Sequence, residues 1–135
     1  MYQNILIVED DLITRFLIKR ILMEMEPGFN QIYEAVNGKK GLEILQRFNV
    51  DLILTDINMP VMDGLEMLGR IRSNPEYKDI PVVVITSKMD EKLERAITES
   101  GLGYVNKPFT GQILKKEILN LKENKDVDLE KAGYV

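Results

Sequence analysis

Short apolar runs alternate with amphipathic segments along this chain. Continuous apolar runs bounded by polar residues or turn formers are typical of strands buried on both faces of a parallel sheet. Such runs lie at residues 5–8, 80–85 and 101–105, another ends abruptly at Asp56, and a weaker one surrounds Ile32 and Tyr33. The pattern therefore predicts five strands.

Segments with helical spacing of apolar residues follow these runs. They cover residues 11–25, 39–48, 90–100 and 110–121, and the third helix in chain order is marked by Leu65, Leu68 and Ile71. Asp11 is a suitable N-cap for the first helix, and Pro27 with Gly28 is a suitable stop. Asn37 and Gly38 indicate a turn before the second helix.

Strand and helix thus alternate five times, which favours an α/β fold with a parallel sheet, helices on both faces and right-handed crossovers. We assign the apolar stripes of the helices, including Leu12 and Phe16 in the first, and the seven methionines to the core. The fourth helix has few apolar residues, chiefly Leu93, Ala96 and Ile97. We expect it to be lightly packed and easily shifted.

Length and composition limit the possible functions. The 135 residues predict one domain, which we place at 1–123, followed by a polar tail at 124–135 and no output domain. The net charge of −4 argues against direct binding of nucleic acid. The chain has no cysteine and no histidine, which excludes disulfides, thiolate metal sites, catalytic histidine and phosphohistidine within the chain itself.

No segment of the sequence resembles a signal peptide or a membrane span. The amino terminus lacks a basic and then apolar pattern, and no apolar run approaches the roughly 20 residues that cross a bilayer. We therefore expect a cytoplasmic protein without membrane insertion.

Polar residues with useful chemistry follow the predicted strands at the points where they end. They are Glu9 and Asp10 after the first strand, Asp56 after the third, Thr86 after the fourth and Lys107 after the fifth. Because the carboxyl ends of parallel strands meet at one edge of the sheet, where such folds bind ligands, we expect these side chains to share one cleft.

This set of residues suits phosphoryl chemistry. Three carboxylates in one cleft resist ionisation unless a cation compensates, and Mg²⁺ accepts carboxylate oxygens while keeping other ligands. Asp56 could act as a nucleophile toward phosphorus, with Lys107 and the metal ion neutralising the transferred group. The Thr86 hydroxyl could then donate a hydrogen bond to the phosphoryl oxygen. Singly, each residue could instead be a helix cap, a strand end or a solvated charge; it is their combination that indicates the site.

Four segments carry a family resemblance. They are residues 5–11 (ILIVEDD), 54–64 (LTDINMPVMDG), 83–87 (VVITS) and 103–109 (GYVNKPF). Together they resemble the receiver domain of two-component response regulators, particularly stand-alone chemotaxis-type ones. The resemblance implies a flavodoxin-like sheet in the order 2-1-3-4-5, with Asp56 as acceptor of a phosphoryl group from a sensor histidine kinase or phosphotransfer protein.

The same resemblance implies further roles. The Asp10 and Asp56 side chains and the Asn58 backbone carbonyl would bind Mg²⁺, with Glu9 contributing through water. Thr86 and Lys107 would contact the phosphoryl group, the peptide bond after Lys107 would be cis, and Tyr104 would be a switch aromatic coupled to Thr86. We also expect slow hydrolysis of the aspartyl phosphate, and signalling to an unknown protein target through the fourth helix, last strand and last helix. The chain is one residue shorter than the usual family spacing between Gly101 and Tyr104, so the fourth helix is expected to sit differently.

Three other functions compete with this interpretation. Phosphatases of the haloacid dehalogenase class also use a strand-end aspartate, but they need a second aspartate where this chain has Asn58. A flavodoxin-like cofactor carrier needs a phosphate-binding loop after the first strand, where Glu9 to Asp11 would repel a phosphate. Metal-independent protein docking predicts no response to Mg²⁺ or phosphodonors.

Overall fold

The computed structural model describes residues 2–26, 28–87 and 89–121, so the predicted tail at 124–135 lies outside the described residues. Five strands alternate with five helices. In chain order they are β1 (Asn4–Val8), α1 (Leu12–Met23), β2 (Gln31–Ala35), α2 (Gly38–Arg47), β3 (Leu52–Thr55), α3 (Gly64–Arg72), β4 (Val82–Thr86), α4 (Glu91–Glu99), β5 (Gly103–Asn106) and α5 (Gly111–Leu119). In the described part of the chain, no helix is long and apolar enough to cross a membrane.

The strands form one parallel sheet in the order β2-β1-β3-β4-β5, which confirms the predicted topology. The strand side chains alternate between two apolar clusters. One cluster joins the sheet to α2, α3 and α4, and the other joins it to α1 and α5. The interior strands β1, β3 and β4 are therefore covered on both faces, which explains why their sequences are continuous apolar runs.

Each helix begins after a side chain that caps its first turn. Asp11, Asn37, Asp63, Asp90 and Thr110 accept a hydrogen bond from the backbone N–H three residues later. Asn37 lies in the bend between β2 and α2, where the sequence predicts a turn, and it is also the N-cap of α2, because its side chain accepts from the Lys40 N–H. The first helix also ends at Met23 rather than near residue 25.

The prediction that the helical apolar stripes all fill the core was wrong for Ile113 and Leu119 of α5, which are exposed, and for one whole face of α1. Ile18 and Leu22 are buried against the sheet, but the opposite face of the same helix is exposed. Its exposed apolar side chains are Leu12, Ile13, Phe16, Leu17 and Met23, of which Ile13 is 70% and Phe16 59% accessible. A helix presents only one stripe to a sheet, so a helix that is apolar nearly all round must leave part of that surface outside.

The loop between β3 and α3 is folded tightly against the end of β3. The Gly64 N–H donates to the Ile57 carbonyl at 2.8 Å, and a Cβ atom on Gly64 would lie 2.1 Å from the Asp56 carbonyl oxygen. Val61 in this loop has a φ of 69°, a left-handed conformation that is unfavourable for a β-branched residue. The loop geometry therefore depends on a glycine at position 64.

We expect Gly64→Ala to lower the free energy of unfolding by about 3 kcal/mol, the upper end of the usual cost of overpacking, because the new methyl group meets backbone atoms that cannot rotate away. Urea unfolding followed by circular dichroism measures this. Gly111→Ala is the control, since its Cβ would lie 3.5 Å from Ile21, an ordinary contact. Equal stability of the two variants would contradict the close approach.

Candidate functional site

Three of the predicted site residues meet at the carboxyl edge of the sheet. Glu9 follows β1, Asp56 follows β3 and Lys107 follows β5. The Lys107 ammonium donates to Glu9 Oε1 and to Asp56 Oδ2, each at 2.8 Å. The expected pairing of Lys107 with Asp56 is therefore present, and Glu9 shares the same ammonium group. The Lys107–Pro108 peptide bond is cis, as the resemblance implies.

Backbone hydrogen bonds hold each of these residues against a neighbouring strand. The Glu9 N–H donates to the Ala35 carbonyl at 2.9 Å, the Asp56 N–H to Val8 at 3.0 Å, and the Lys107 N–H to Thr86 at 3.0 Å. The sheet thus orients the backbone one residue beyond each strand end. Asp56 is held further by its own loop, because its Oδ1 accepts from the Ile57 N–H at 2.6 Å.

Burial makes the charges of this cluster interdependent. The Glu9 and Asp56 residues are 1% and 8% exposed. Burial raises the pKa of Glu9 to about 7, and the nearby Asp56 charge adds to this, while the hydrogen bond from Lys107 opposes it. Near neutral pH Glu9 is therefore divided between its protonated and ionised forms.

Asp56 and Lys107 are stabilised in their charged forms. Burial raises the pKa of Asp56, but the hydrogen bonds from Lys107 and from the Ile57 amide outweigh it, so the pKa lies below its usual value. Burial lowers the pKa of Lys107, and its bonds to Asp56 and Glu9 outweigh that effect and raise it. The cluster thus contains an ionised carboxylate beside a protonated amine.

The acidic groups are arranged so that they could hold a divalent cation. Glu9, Asp10 and Asp56 each offer a carboxylate oxygen, and these oxygens lie within 4.8 Å of one another. Glu9 Oε2 is buried and has no hydrogen-bond partner among the described residues, although a buried acceptor is costly to leave unpaired. A hard cation, or a water bound to one, would satisfy that oxygen, so the residues fit Mg²⁺.

Asn58 lies in the β3–α3 loop, two residues after Asp56, with an exposed side chain.

The two predicted switch residues lie on adjacent strands. Thr86 ends β4 and is fully buried. Tyr104 lies on β5 opposite Val84 and is half-buried. Burial raises the pKa of the Tyr104 phenol, and the Glu94 charge adds to this effect. The Tyr104 N–H donates to the Glu117 side chain at 2.9 Å, which ties β5 to α5.

Sequence reasoning missed Arg15. Its guanidinium donates to the Glu9 carbonyl at 2.7 Å and to the Glu34 carboxylate at 3.2 Å. Helical spacing from Asp11 places Arg15 on the side of α1 near the site, but nothing in the sequence pairs it with β2.

Sequence reasoning also missed an apolar cleft beside the cluster of Glu9, Asp56 and Lys107. This cavity of about 480 Å³ lies between α1 and the start of α5, and is lined by Thr14, Leu17, Ile21, Ser87, Lys107, Pro108, Phe109 and Gly111. The exposed apolar face of α1 borders it, since Leu17 belongs to both. An apolar surface thus adjoins a charged centre, and the shared residue Lys107 connects them.

Comparisons with known proteins agree with this geometry. The sequence model of the family described as "Response regulator receiver domain" matches residues 5–119. The chemotaxis protein CheY of Pseudomonas aeruginosa is 39% identical over 123 residues, which are 89% of this chain and 96% of that protein. CheY-3 of Vibrio cholerae is 36% identical over 116 residues, or 85% of this chain and 88% of the other. The solved structure of CheY4 of Vibrio cholerae superimposes with a TM-score of 0.78 at 25% identity and covers 90% of this chain and all 100% of that one.

We expect Lys107→Met to lower the free energy of unfolding by about 3 kcal/mol in EDTA, because it leaves buried carboxylates without their cation. Added Mg²⁺ should restore more stability to this variant than it adds to the parent, since a second cation can replace the lost one. Thermal unfolding with and without Mg²⁺ measures both effects.

Lys115→Met removes an equal charge from an exposed pair with Glu24, whose atoms are 3.9 Å apart, so it should change stability by less than about 1 kcal/mol. If both lysine variants lose the same stability, Lys107 does not hold the buried carboxylates together.

Proposed function

The chain belongs to the response regulator receiver domain family, whose members are the phosphoryl-aspartate signalling switches of two-component systems, and we propose that it is such a switch with Asp56 as its phosphoacceptor. In this proposal a sensor histidine kinase or a phosphotransfer protein supplies the phosphoryl group. The protein is then a stoichiometric acceptor rather than a classical enzyme. The observation that carries the proposal is the ionised, buried Asp56 bonded to Lys107.

The chemistry follows from the contacts of Asp56. One of its carboxylate oxygens attacks the phosphorus of a phosphohistidine, the P–N bond breaks, and its electron pair returns to the imidazole of the donor. Lys107 exchanges its bond to the Asp56 oxygen for one to a phosphoryl oxygen, which neutralises part of the transferred charge. Bound Mg²⁺ would neutralise the rest, held by the Asp10 and Asp56 side chains and the Asn58 carbonyl, with Glu9 acting through water. Water attack on the same acyl phosphate would return Asp56 slowly to its free form.

A switch also needs an element that responds to the phosphoryl group. In our proposal the Thr86 hydroxyl forms a hydrogen bond to a phosphoryl oxygen, and the Tyr104 ring turns inward as Thr86 moves. The half-buried position of Tyr104 on the strand beside Thr86 supports this coupling. Only Ala96 and Ile97 are buried on α4, so α4 can shift at low cost and alter the surface of α4, β5 and α5 that an unknown protein target would read.

The phosphodonor must approach from the surface around Asp56. The apolar face of α1, beginning at Leu12 and including Ile13 and Phe16, starts two residues after Asp10. Large exposed apolar patches in soluble proteins commonly mark protein interaction sites. We propose that the donor protein packs an apolar helix surface on α1, next to the cleft that contains Lys107.

Phosphorylation can be tested with a small donor. We expect Mg²⁺ and acetyl phosphate to add one phosphoryl group to the parent chain, detected by intact mass spectrometry, and none to Asp56→Asn. Asp51→Asn is a matched control, because Asp51 lies at the opposite end of β3, where it accepts from the Gln3 and Asn4 N–H groups. No adduct on the parent, together with no binding of the aspartyl-phosphate mimic beryllofluoride, would favour metal-independent docking instead.

Docking on α1 can be separated from the phosphoryl chemistry. We expect Phe16→Glu to slow transfer from a radiolabelled histidine kinase domain at least tenfold, because it places a charge in an apolar contact, and to leave phosphorylation by acetyl phosphate unchanged. Leu119→Glu is the control, since Leu119 is 72% exposed at the far end of α5. Transfer rates that are the same for both variants would show that α1 is not the docking surface.

A further inference from the structure

Arg15 connects α1 to the turn that carries the acidic cluster. Its side chain is 13% exposed. The Nη1 atom donates to the Glu9 carbonyl at 2.7 Å, and the Nε atom donates to Glu34 Oε1 at 3.2 Å. Lys19, one helical turn later, donates to the other oxygen of Glu34 at 3.2 Å. The Glu34 carboxylate thus holds the guanidinium in place from β2.

The bond to the Glu9 carbonyl fixes the backbone at the start of the acidic turn. The Glu9 N–H is held by the Ala35 carbonyl at 2.9 Å, but β2 ends at Ala35. The guanidinium supplies a donor to the next backbone group, the carbonyl of the peptide that joins Glu9 to Asp10. Both sides of Glu9 are therefore anchored, and the plane of that peptide sets the direction in which the Asp10 side chain leaves the turn.

We propose that Arg15 is a positioning residue that holds Glu9 and Asp10 in the arrangement a divalent cation requires. The inference rests on the proposed Mg²⁺ site of Asp10 and Asp56. Arg15 would act through the backbone, because its bond in the acidic turn is to the Glu9 carbonyl and not to a carboxylate of the cluster. Groups that orient metal ligands in this way commonly change metal affinity by about 10- to 100-fold when removed.

Positioning and simple electrostatics predict opposite results for this arginine. If Arg15 acted only as a positive charge near the carboxylates, its removal would relieve repulsion and tighten Mg²⁺ binding. If it holds the turn, its removal loosens the ligands and weakens binding. The sign of the change in affinity therefore distinguishes the two roles.

We expect Arg15→Met to bind Mg²⁺ about tenfold more weakly than the parent, measured by isothermal titration calorimetry on the unphosphorylated protein. Lys19→Met is the matched control: it removes the same charge and a bond to the same Glu34 carboxylate, but Lys19 does not bond the Glu9 carbonyl. Its affinity should equal that of the parent or be slightly tighter. Arg15→Lys retains the charge but cannot donate in two directions from one planar group, so it should also bind weakly.

An Arg15→Met affinity equal to or tighter than that of the parent would overturn the inference, as would full recovery by Arg15→Lys. Thermal unfolding of each variant in EDTA identifies any loss of folding, and Arg15→Lys, the milder change, decides the outcome if Arg15→Met does not fold. Absence of Mg²⁺ binding by the parent would overturn the proposed metal site itself. If the parent binds Mg²⁺ and Arg15→Met binds it with the same affinity, only the proposed role of Arg15 is overturned.

Discussion

The bond of one lysine ammonium to two buried carboxylates is the constraint on which the site depends. Lys107 lies 98 residues after Glu9 and 51 after Asp56, so the cluster exists only if β1, β3 and β5 end at the same edge of one sheet. Burying a charge without a partner costs several kcal/mol. A parallel fold with these strand ends is thus needed to keep the three groups together, and any displacement of β5 moves the cation.

The same constraint gathers more negative than positive charge at this edge of the sheet. Two carboxylates share one ammonium, Asp10 stands beside them, and Glu9 keeps an oxygen without a partner. Burial, together with the nearby Asp56 charge, raises the pKa of Glu9 to about 7 even though Lys107 donates a hydrogen bond to it. In the proposed mechanism a phosphoryl group brings further negative charge to this cluster, so we expect phosphorylation to require a divalent cation. In the same proposed mechanism Lys107 would exchange a partner on phosphorylation, and its backbone N–H bond to the Thr86 carbonyl would link that change to the end of β4.

The residues that the sequence could identify are those whose positions follow from a strand end. Asp56 and Lys107 each stand directly after the last residue of a strand, so the topology alone brings them together. Arg15 could not be identified in this way, because its partners depend on how far α1 is rotated about its axis against the sheet. The exposure of Phe16 was missed for the same reason: the spacing of apolar residues shows that α1 is apolar, but not which side of it the sheet covers.

In the proposed function, two different faces of the molecule would serve the donor and the target. The face of α1 beside the site is apolar, whereas α4 carries exposed charges such as Glu91, Lys92 and Glu99. A donor has to reach Asp56 itself, so it needs a surface that adjoins the site and does not change when the site is filled. A target has to distinguish the two states, so it needs a surface that does change. Because α1 is anchored to β2 through Arg15 and Glu34 while α4 has only two buried side chains, the rigid face suits the donor and the loosely packed one suits the target.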